Sequence, residues 1–412
     1  MQQPARGALS HIRILDLSRV LAGPWAGQTL GDLGAEVIKV ERPVTGDDTR
    51  MWGPPFLKDP KGHATRDSAY YLCTNRNKKS ITVDLTQLAG QALIRDLAKT
   101  CDVVIENFKV DNLKQYGLDY EVLKAVNPRL VYCSITGFGQ TGPYAHRAGY
   151  DFLIQGMGGL MSITGRPDGE EGAGPVKVGV ALTDILTGLY ASTAILAALQ
   201  AREVTGAGQH IDLALLDVQL ACLANQSMNY LYSGHAPQRM GNAHPNTVPY
   251  QDFPTADGYM ILAIGNDSQF VKFCVSAGRP QWAEDPCFKT NAARVEHRTA
   301  LIPLMRQVTV GRTTHDWITL LENVGVPCGP INTLADVFAD PQVQARGMKI
   351  EMTHPVAGII PLVASPIRLS DTPVQYRSAP PQLGQDTHQV LREVLGLSEG
   401  AIDDLSKQGV LG

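Results

Sequence analysis

IRILDLSRVLAGPWAGQTLGDLGAEVIKVE, residues 12–41, changes its hydrophobic period twice. Ile12–Leu17 is a short apolar run, Pro24–Leu33 has helical spacing, and Glu36–Glu41 alternates. A parallel βαβ unit satisfies all three, with Pro24 early in the helix, where a missing N–H costs nothing. The rhythm continues with a strand at Ile81–Leu85, a helix at Leu88–Lys99 and a strand at Val103–Glu106. A helix at Tyr120–Ala125 and a strand at Leu130–Ile135 follow. Strands separated by helices of this length predict an α/β fold, a doubly wound, mostly parallel sheet of Rossmann-like type. Ligands on such sheets sit beyond the carboxyl ends of the strands. That expectation singles out Ser18–Pro24, Arg42–Arg50, Asn107–Lys109 and Thr136–Pro143.

Further along, Asp184–Gln200 is a long helical signal, followed by a strand at His210–Leu213 and a helix through Tyr230. Ser233–Asn246 is rich in Gly, His, Pro and Asn and reads as a loop. Asp257-Gly258 reads as a tight turn joining strands Tyr250–Phe253 and Tyr259–Ile264. At ~150 residues per domain, 412 residues are too many for one core. The expected division is a large α/β domain over 1–226, a smaller α+β domain over 227–330, and a segment over 331–412 returning to the large domain. Gly329-Pro330 punctuates the small domain, and a helix is expected at His388–Leu395.

Composition excludes several classes. With 44% hydrophobic and 18% charged residues the chain is no disordered polymer. Its 40 Gly and 26 Pro follow no period, which removes collagen-like and low-complexity readings. A net charge of -4 leaves no electrostatic footprint for nucleic acid, so a small substrate is expected. Met1–Gly7 lacks the apolar core of a signal peptide. Gly188–Leu199, the most apolar stretch, is too short to span a bilayer, so no membrane is expected. Seven cysteines form no CxxC pair, the pattern of reduced, packed thiols in a cytoplasmic compartment.

Gly137-Phe-Gly-Gln-Thr-Gly142 satisfies GxGxxG after a strand, but Pro143 and Tyr144 follow where a dinucleotide fingerprint needs a helix to open. Nicotinamide binding is therefore not expected. The histidines show no metal-ligand spacing, and no metal site is predicted. Asp184 is more informative, the one acid in a long run of apolar and small residues at the start of a strongly helical stretch. Spacing favours a helix cap. The alternative is a carboxylate nucleophile held in a partly dry site.

Residues distributed over almost the whole chain carry a resemblance. They are Leu15–Pro24, Leu33–Arg42, Gly46–Arg50, Asn75–Ser80, Glu106–Phe108, Arg147–Asp151, Gly206–Gln209 and Val326–Pro330. In these motifs and their order the chain resembles the class III CoA-transferases, the formyl-CoA and carnitine CoA-transferase family. Arg239–His244 and Val248–Tyr250 make it similar to members that exchange CoA between succinyl-CoA and a dicarboxylate such as glutarate.

The resemblance implies that Asp184 is the catalytic nucleophile. An ordinary carboxylate, with a pKa near ~3.9, is ionised at neutral pH and needs no separate base. It implies an aspartyl anhydride followed by an aspartyl–CoA thioester, with CoA esters as substrates and no permanently bound cofactor or metal. Gly241-Asn242 and Gln140 are the candidate oxyanion stabilisers. By position, Val20 and Ala22 line the pantetheine end, Arg42 lies near the nucleotide phosphates, and Val83, Asn107 and Phe108 pack around the adenosine. Formyl-CoA transferases carry Lys and Arg where this chain has Thr86 and Gln115, so Lys109 or Lys114 is expected to supply phosphate contacts. Arg147, Arg239 and His244 are candidates for the substrate's distal carboxylate, and Tyr150 is a further substrate-binding candidate. Related α-methylacyl-CoA racemases use a histidine where Tyr150 stands. Tyrosine, with a reference pKa near ~10, is a poor base at neutral pH, which leaves racemase as the runner-up. A CoA-binding protein without catalysis is the alternative from another class. The family further implies an interlocked homodimer.

Overall fold

The computed structural model describes residues 7–412, so the N-terminal segment read for a signal peptide lies, apart from Gly7, outside the described residues. A six-stranded parallel sheet is built from β1 (Arg13–Asp16), β2 (Glu36–Glu41), β3 (Lys78–Thr82), β4 (Val103–Glu106), β5 (Val131–Thr136) and β6 (His210–Ala214). Its spatial order is 3-2-1-4-5-6, that of doubly wound dinucleotide-binding sheets. The order reverses between β1 and β4, and their carboxyl ends open a crevice there.

Alternation along the strands feeds two cores. Ile14, Val37 and Val103 face α1 (Ala22–Asp32) and Ile195 and Ala198 of a long helix, Leu182–Thr205. Leu15, Ile38 and Val104 pack on the other side with Leu93 and Leu97 of α2 (Leu88–Thr100) and with Val390 and Leu391. Burial on both faces explains why these strands read as near-continuous apolar runs.

One strand departs from its expected register: β3 is Lys78–Thr82, not Ile81–Leu85. Lys78 is fully buried and donates to Asp16 Oδ2 (3.0 Å) and the Pro24 carbonyl (2.9 Å). Burial pulls its ammonium down to about 8, against the opposing pull of Asp16. Paired inside the protein, a lysine occupies a strand position that charge alone marks as loop.

Two compact units emerge. One comprises residues up to Leu160, Lys177–Gly234 and Arg346–Gly412, and the other Met161–Val176 with His235–Ala345. The divisions thus fall at 234/235 and 345/346 rather than 226/227 and 330/331, and a segment before residue 177 belongs with the second unit. That unit carries an antiparallel sheet of β7 (Tyr250–Pro254), β8 (Tyr259–Ala263) and β9 (Cys328–Pro330) in the order β9-β8-β7. Phe253, Leu262, Phe273 and Trp317 fill its core. Gly329-Pro330 is part of its third strand, not a domain boundary. In the first unit, the C-terminal segment is tied to β3, with the Thr82 hydroxyl donating to the Gly412 carbonyl at 2.8 Å.

The helix expected at Asp184–Gln200 runs from Leu182 to Thr205, and it is long and apolar enough by length and composition to cross a membrane. The apolar stretch judged too short is therefore only its middle. Ala191, Ile195, Ala198 and Leu199 are buried in the core of the first unit.

Candidate active site

The crevice is lined from both sides of the strand-order reversal. After β1, the turn Ser18–Leu21 is fixed peptide by peptide. Ser18 N–H donates to Asp16 (3.0 Å), Arg19 N–H to the Asn107 side chain (2.9 Å), and Asn107 Nδ2 back to the Arg19 carbonyl (2.6 Å). Lys39 Nζ donates to the Ser18 carbonyl (3.0 Å) and to Asp47 (2.8 Å), and Asp47 accepts from Val20 N–H at 3.2 Å. Val20 holds φ at +71°, a region that a β-branched residue enters only when its surroundings impose it. The turn delivers the start of α1, whose N-cap residue Leu21 makes no side-chain capping bond. Uncapped N–H groups at a helix start favour negative charge nearby.

Opposite lies the first turn of the long helix, designated α5 (Leu182–Thr205), after α3 (Tyr120–Val126) and α4 (Asp151–Met157). Asp184 is its third residue, so it is not the N-cap, a position held by Ala181. Asp151, at the head of α4, takes the capping role: its Oδ1 accepts from Thr183 N–H (2.8 Å) and Asp184 N–H (3.3 Å). Gln155 holds the other Asp151 oxygen at 2.7 Å. Asp184 is 9% exposed, and among the described residues its carboxylate accepts no hydrogen bond that would occupy it. Burial, then the charge of Asp151, pushes its carboxyl up to about 7. The expectation of an ordinary carboxylate is corrected accordingly: its surroundings move the Asp184 carboxyl from the usual acidic range to the neutral one. Tyr70 lies within electrostatic reach, pushed up to about 12 by burial and then by Asp184, so its phenol stays a neutral donor.

Asp184, Val20, Ala22, Asn107, Phe108 and Tyr150 line one cavity of about 110 Å³, together with Arg19, Lys109 and Arg147. Arg147 stacks over the rings of Tyr144 (4.5 Å) and Phe138 (5.3 Å). Its loop lies close on the end of β5, because a Cβ on Gly137 would stand 2.5 Å from the Gly149 Cα. A neighbouring cavity of about 360 Å³ holds Arg42, Val83, Phe108, Tyr116 and Thr86. Thr86 donates to Asp84 at 2.7 Å and Gln115 to Asn112 at 3.3 Å, so neither brings charge to it.

Two residues are placed elsewhere in the first unit. Gln140 and Lys114 line a third cavity with Glu106, Ser134 and His210, and Gln140 N–H donates to Asp212 at 3.0 Å. Gln140 is thus outside the Asp184 cavity, and Lys114 outside the one that holds Arg42. Lys109 lines the first and third cavities, not the second. In the second unit, Gly241 and Asn242 line a cavity of about 340 Å³ with Arg166 and Arg306, and Asn242 Nδ2 donates to Asp252 at 3.0 Å. Arg239 is paired with Asp168, and the ring of His244 accepts from Asn246 N–H at 3.1 Å. Asp151, Tyr70 and Arg19 are among the residues that sequence reasoning did not assign. Asp151 stood inside a quoted motif, but its capping role depends on a contact across thirty-three positions.

A buried carboxylate thus lines a cavity at the switch point of a doubly wound sheet, among the turns that follow β1 and β4. The chain belongs to CoA-transferase family III, whose profile matches residues 9–387. It is 54% identical to the succinate–glutarate CoA-transferase of Agrobacterium fabrum, over 94% of this chain and 95% of that one. It is 46% identical to the human succinyl-CoA:glutarate CoA-transferase, over 98% and 90% of the two chains. A crystal structure of a CAIB/BAIF family protein from Brucella suis superposes with a TM-score of 0.82 at 52% identity, covering 94% of this chain and all of that one. This is a class III CoA-transferase acting on CoA thioesters. Among the described residues, no group of three His, Cys, Asp or Glu could hold a metal ion.

Proposed function

We propose that the protein moves CoA from succinyl-CoA to glutarate through covalent intermediates on Asp184. The acids in the names of the relatives at 54% and 46% identity support the substrates. The observation that carries the mechanism is the Asp184 carboxylate, buried beside the uncapped start of α1 and, among the described residues, accepting no hydrogen bond.

Once ionised, Asp184 attacks the thioester carbonyl with one oxygen. The C–S bond breaks, CoA leaves as the thiolate, and a succinyl–aspartyl anhydride remains. Thiolate then attacks the aspartyl carbonyl, releasing succinate and leaving an aspartyl–CoA thioester. Glutarate attacks that carbonyl, re-forming an anhydride and thiolate. Attack of thiolate on the glutaryl carbonyl yields glutaryl-CoA and returns the Asp184 carboxylate. One thioester is consumed and one made, so no ATP is needed. Each step develops an oxyanion, and the uncapped start of α1 at Leu21 and Ala22, which lines the same cavity, is suited to stabilise it. Asp151, by taking the capping bonds, leaves the nucleophile unoccupied.

The protein works as an interlocked homodimer in this proposal. In the first unit large apolar side chains stand exposed, including Phe152 (60%), Leu231 (71%) and Tyr232 (87%), a burden that a partner copy removes. All seven cysteines are free, consistent with a reducing, cytoplasmic setting.

A screen of carboxylic acids with succinyl-CoA as donor, read by chromatography of the CoA esters, tests the function. Glutarate is expected to give glutaryl-CoA without added metal and in the presence of a chelator. No new CoA ester from any dicarboxylate, or activity that a chelator abolishes and a divalent metal restores, contradicts it.

A further inference from the structure

The two cavities of the crevice share two lining residues, Arg19 and Phe108. A CoA thioester is a linear molecule with a fixed order: acyl thioester, pantetheine, diphosphate, then the phosphorylated adenosine. With the thioester at Asp184 in one cavity and the nucleotide beside Arg42 and Val83 in the other, the diphosphate falls at their junction. We propose that Arg19 is the residue that binds this diphosphate, a reading that rests on the transferase assignment above.

Three observations support Arg19 over the other cations. Its backbone is clamped on both sides by Asn107, so the guanidinium projects from a fixed point. Among the described residues, its side chain pairs with Asp48 at 2.8 Å, and both side chains are 42% exposed. An exposed pair of this kind is weak and readily exchanged for a doubly hydrogen-bonded phosphate, whose geometry suits the guanidinium fork. The competing cations are placed otherwise. Lys39 is buried and committed to Asp47 and the Ser18 carbonyl, and Lys109 does not line the nucleotide cavity. The missing charges at Thr86 and Gln115 are thus compensated from the β1 turn, with Arg42 left for the nucleotide end.

Steady-state kinetics with two donors test the assignment: succinyl-CoA, and succinyl-pantetheine, which lacks the diphosphate and the nucleotide. For Arg19→Ala the KM for succinyl-CoA is expected to rise roughly 10- to 100-fold, as for a lost hydrogen bond to a charged group. Arg19→Lys should fall between, and both variants should match the wild type on succinyl-pantetheine. Asp48→Ala, which removes the ion pair but no phosphate contact, should not raise the KM. An equal loss on both donors makes Arg19 a support of the turn and overturns the proposal, as does an unchanged KM for succinyl-CoA. Should Arg19→Ala fail to fold, Arg19→Lys and Arg19→Gln carry the same comparison. If the wild type turns over neither donor, the transferase reading fails. Equilibrium binding of CoA against pantetheine to the same proteins then decides Arg19 alone.

Discussion

Asp151 relieves Asp184 of the task that an aspartate in the first turn of a helix ordinarily performs. It accepts the two backbone N–H groups and its charge adds to burial in raising the Asp184 carboxyl to about 7. The sign of the pH dependence follows. Only the anion attacks, so kcat/KM should rise with pH through an acid limb near 7 and level off above it. In Asp151→Asn the amide oxygen can still accept from Thr183, but the charge is gone, so the limb should move to lower pH. A pH–rate profile of the two enzymes measures this, and a limb that stays in place would mean that Asp151 contributes no charge effect. Sequence spacing identified Asp184 as an exceptional acid, and the resemblance made it the nucleophile. Its ionisation was not legible, because burial and a carboxylate thirty-three positions earlier determine it.

At the scale of elements, α5 approaches α1 closely enough to bring Asp184 to the crevice because residue 188 has no side chain. A Cβ there would stand 2.7 Å from the Ala22 carbonyl oxygen and 3.0 Å from Trp25 Cβ. Gly188→Ala should force the helices apart at a cost of about 1–3 kcal/mol and lower kcat, since Asp184 lies one turn away on the same helix. Gly400→Ala, where nothing lies within 4 Å, is the control and should leave both unchanged or raise stability slightly. Thermal melts and turnover check the pair; a Gly188→Ala enzyme with wild-type melting and rate would contradict the close-approach account. The β1–α1–β2 unit was legible because its two periods are clean. The third strand starts three residues before its apolar run because Lys78, fully buried on Asp16, opens it. Gln140, a candidate oxyanion stabiliser, lines a cavity apart from Asp184, and its N–H donates to Asp212 across the strand end, a contact that the Gly-rich turn does not signal in sequence.

For the whole molecule, the mostly parallel sheet and a ligand site beyond its strand ends follow from element rhythm, whereas the strand order, and so the place of its reversal, is set by the structure. The division into units did not, because the segment before residue 177 joins a unit whose remaining residues begin at His235. The exposed apolar side chains at Phe152, Leu231 and Tyr232 lead to an expected dimer in sedimentation equilibrium at working concentrations, and a monomer there would remove that part of the proposal. The central claim is that Asp184 itself becomes acylated and then carries CoA. Intact-mass spectrometry of the protein mixed with succinyl-CoA addresses it most directly. The account predicts a species heavier by one CoA less one water, converted by hydroxylamine to a hydroxamate that peptide mapping places on Asp184, and absent from Asp184→Asn. A wild-type protein that turns over without any such species, or an Asp184→Asn protein that has not deamidated and still turns over at the wild-type rate, would contradict it.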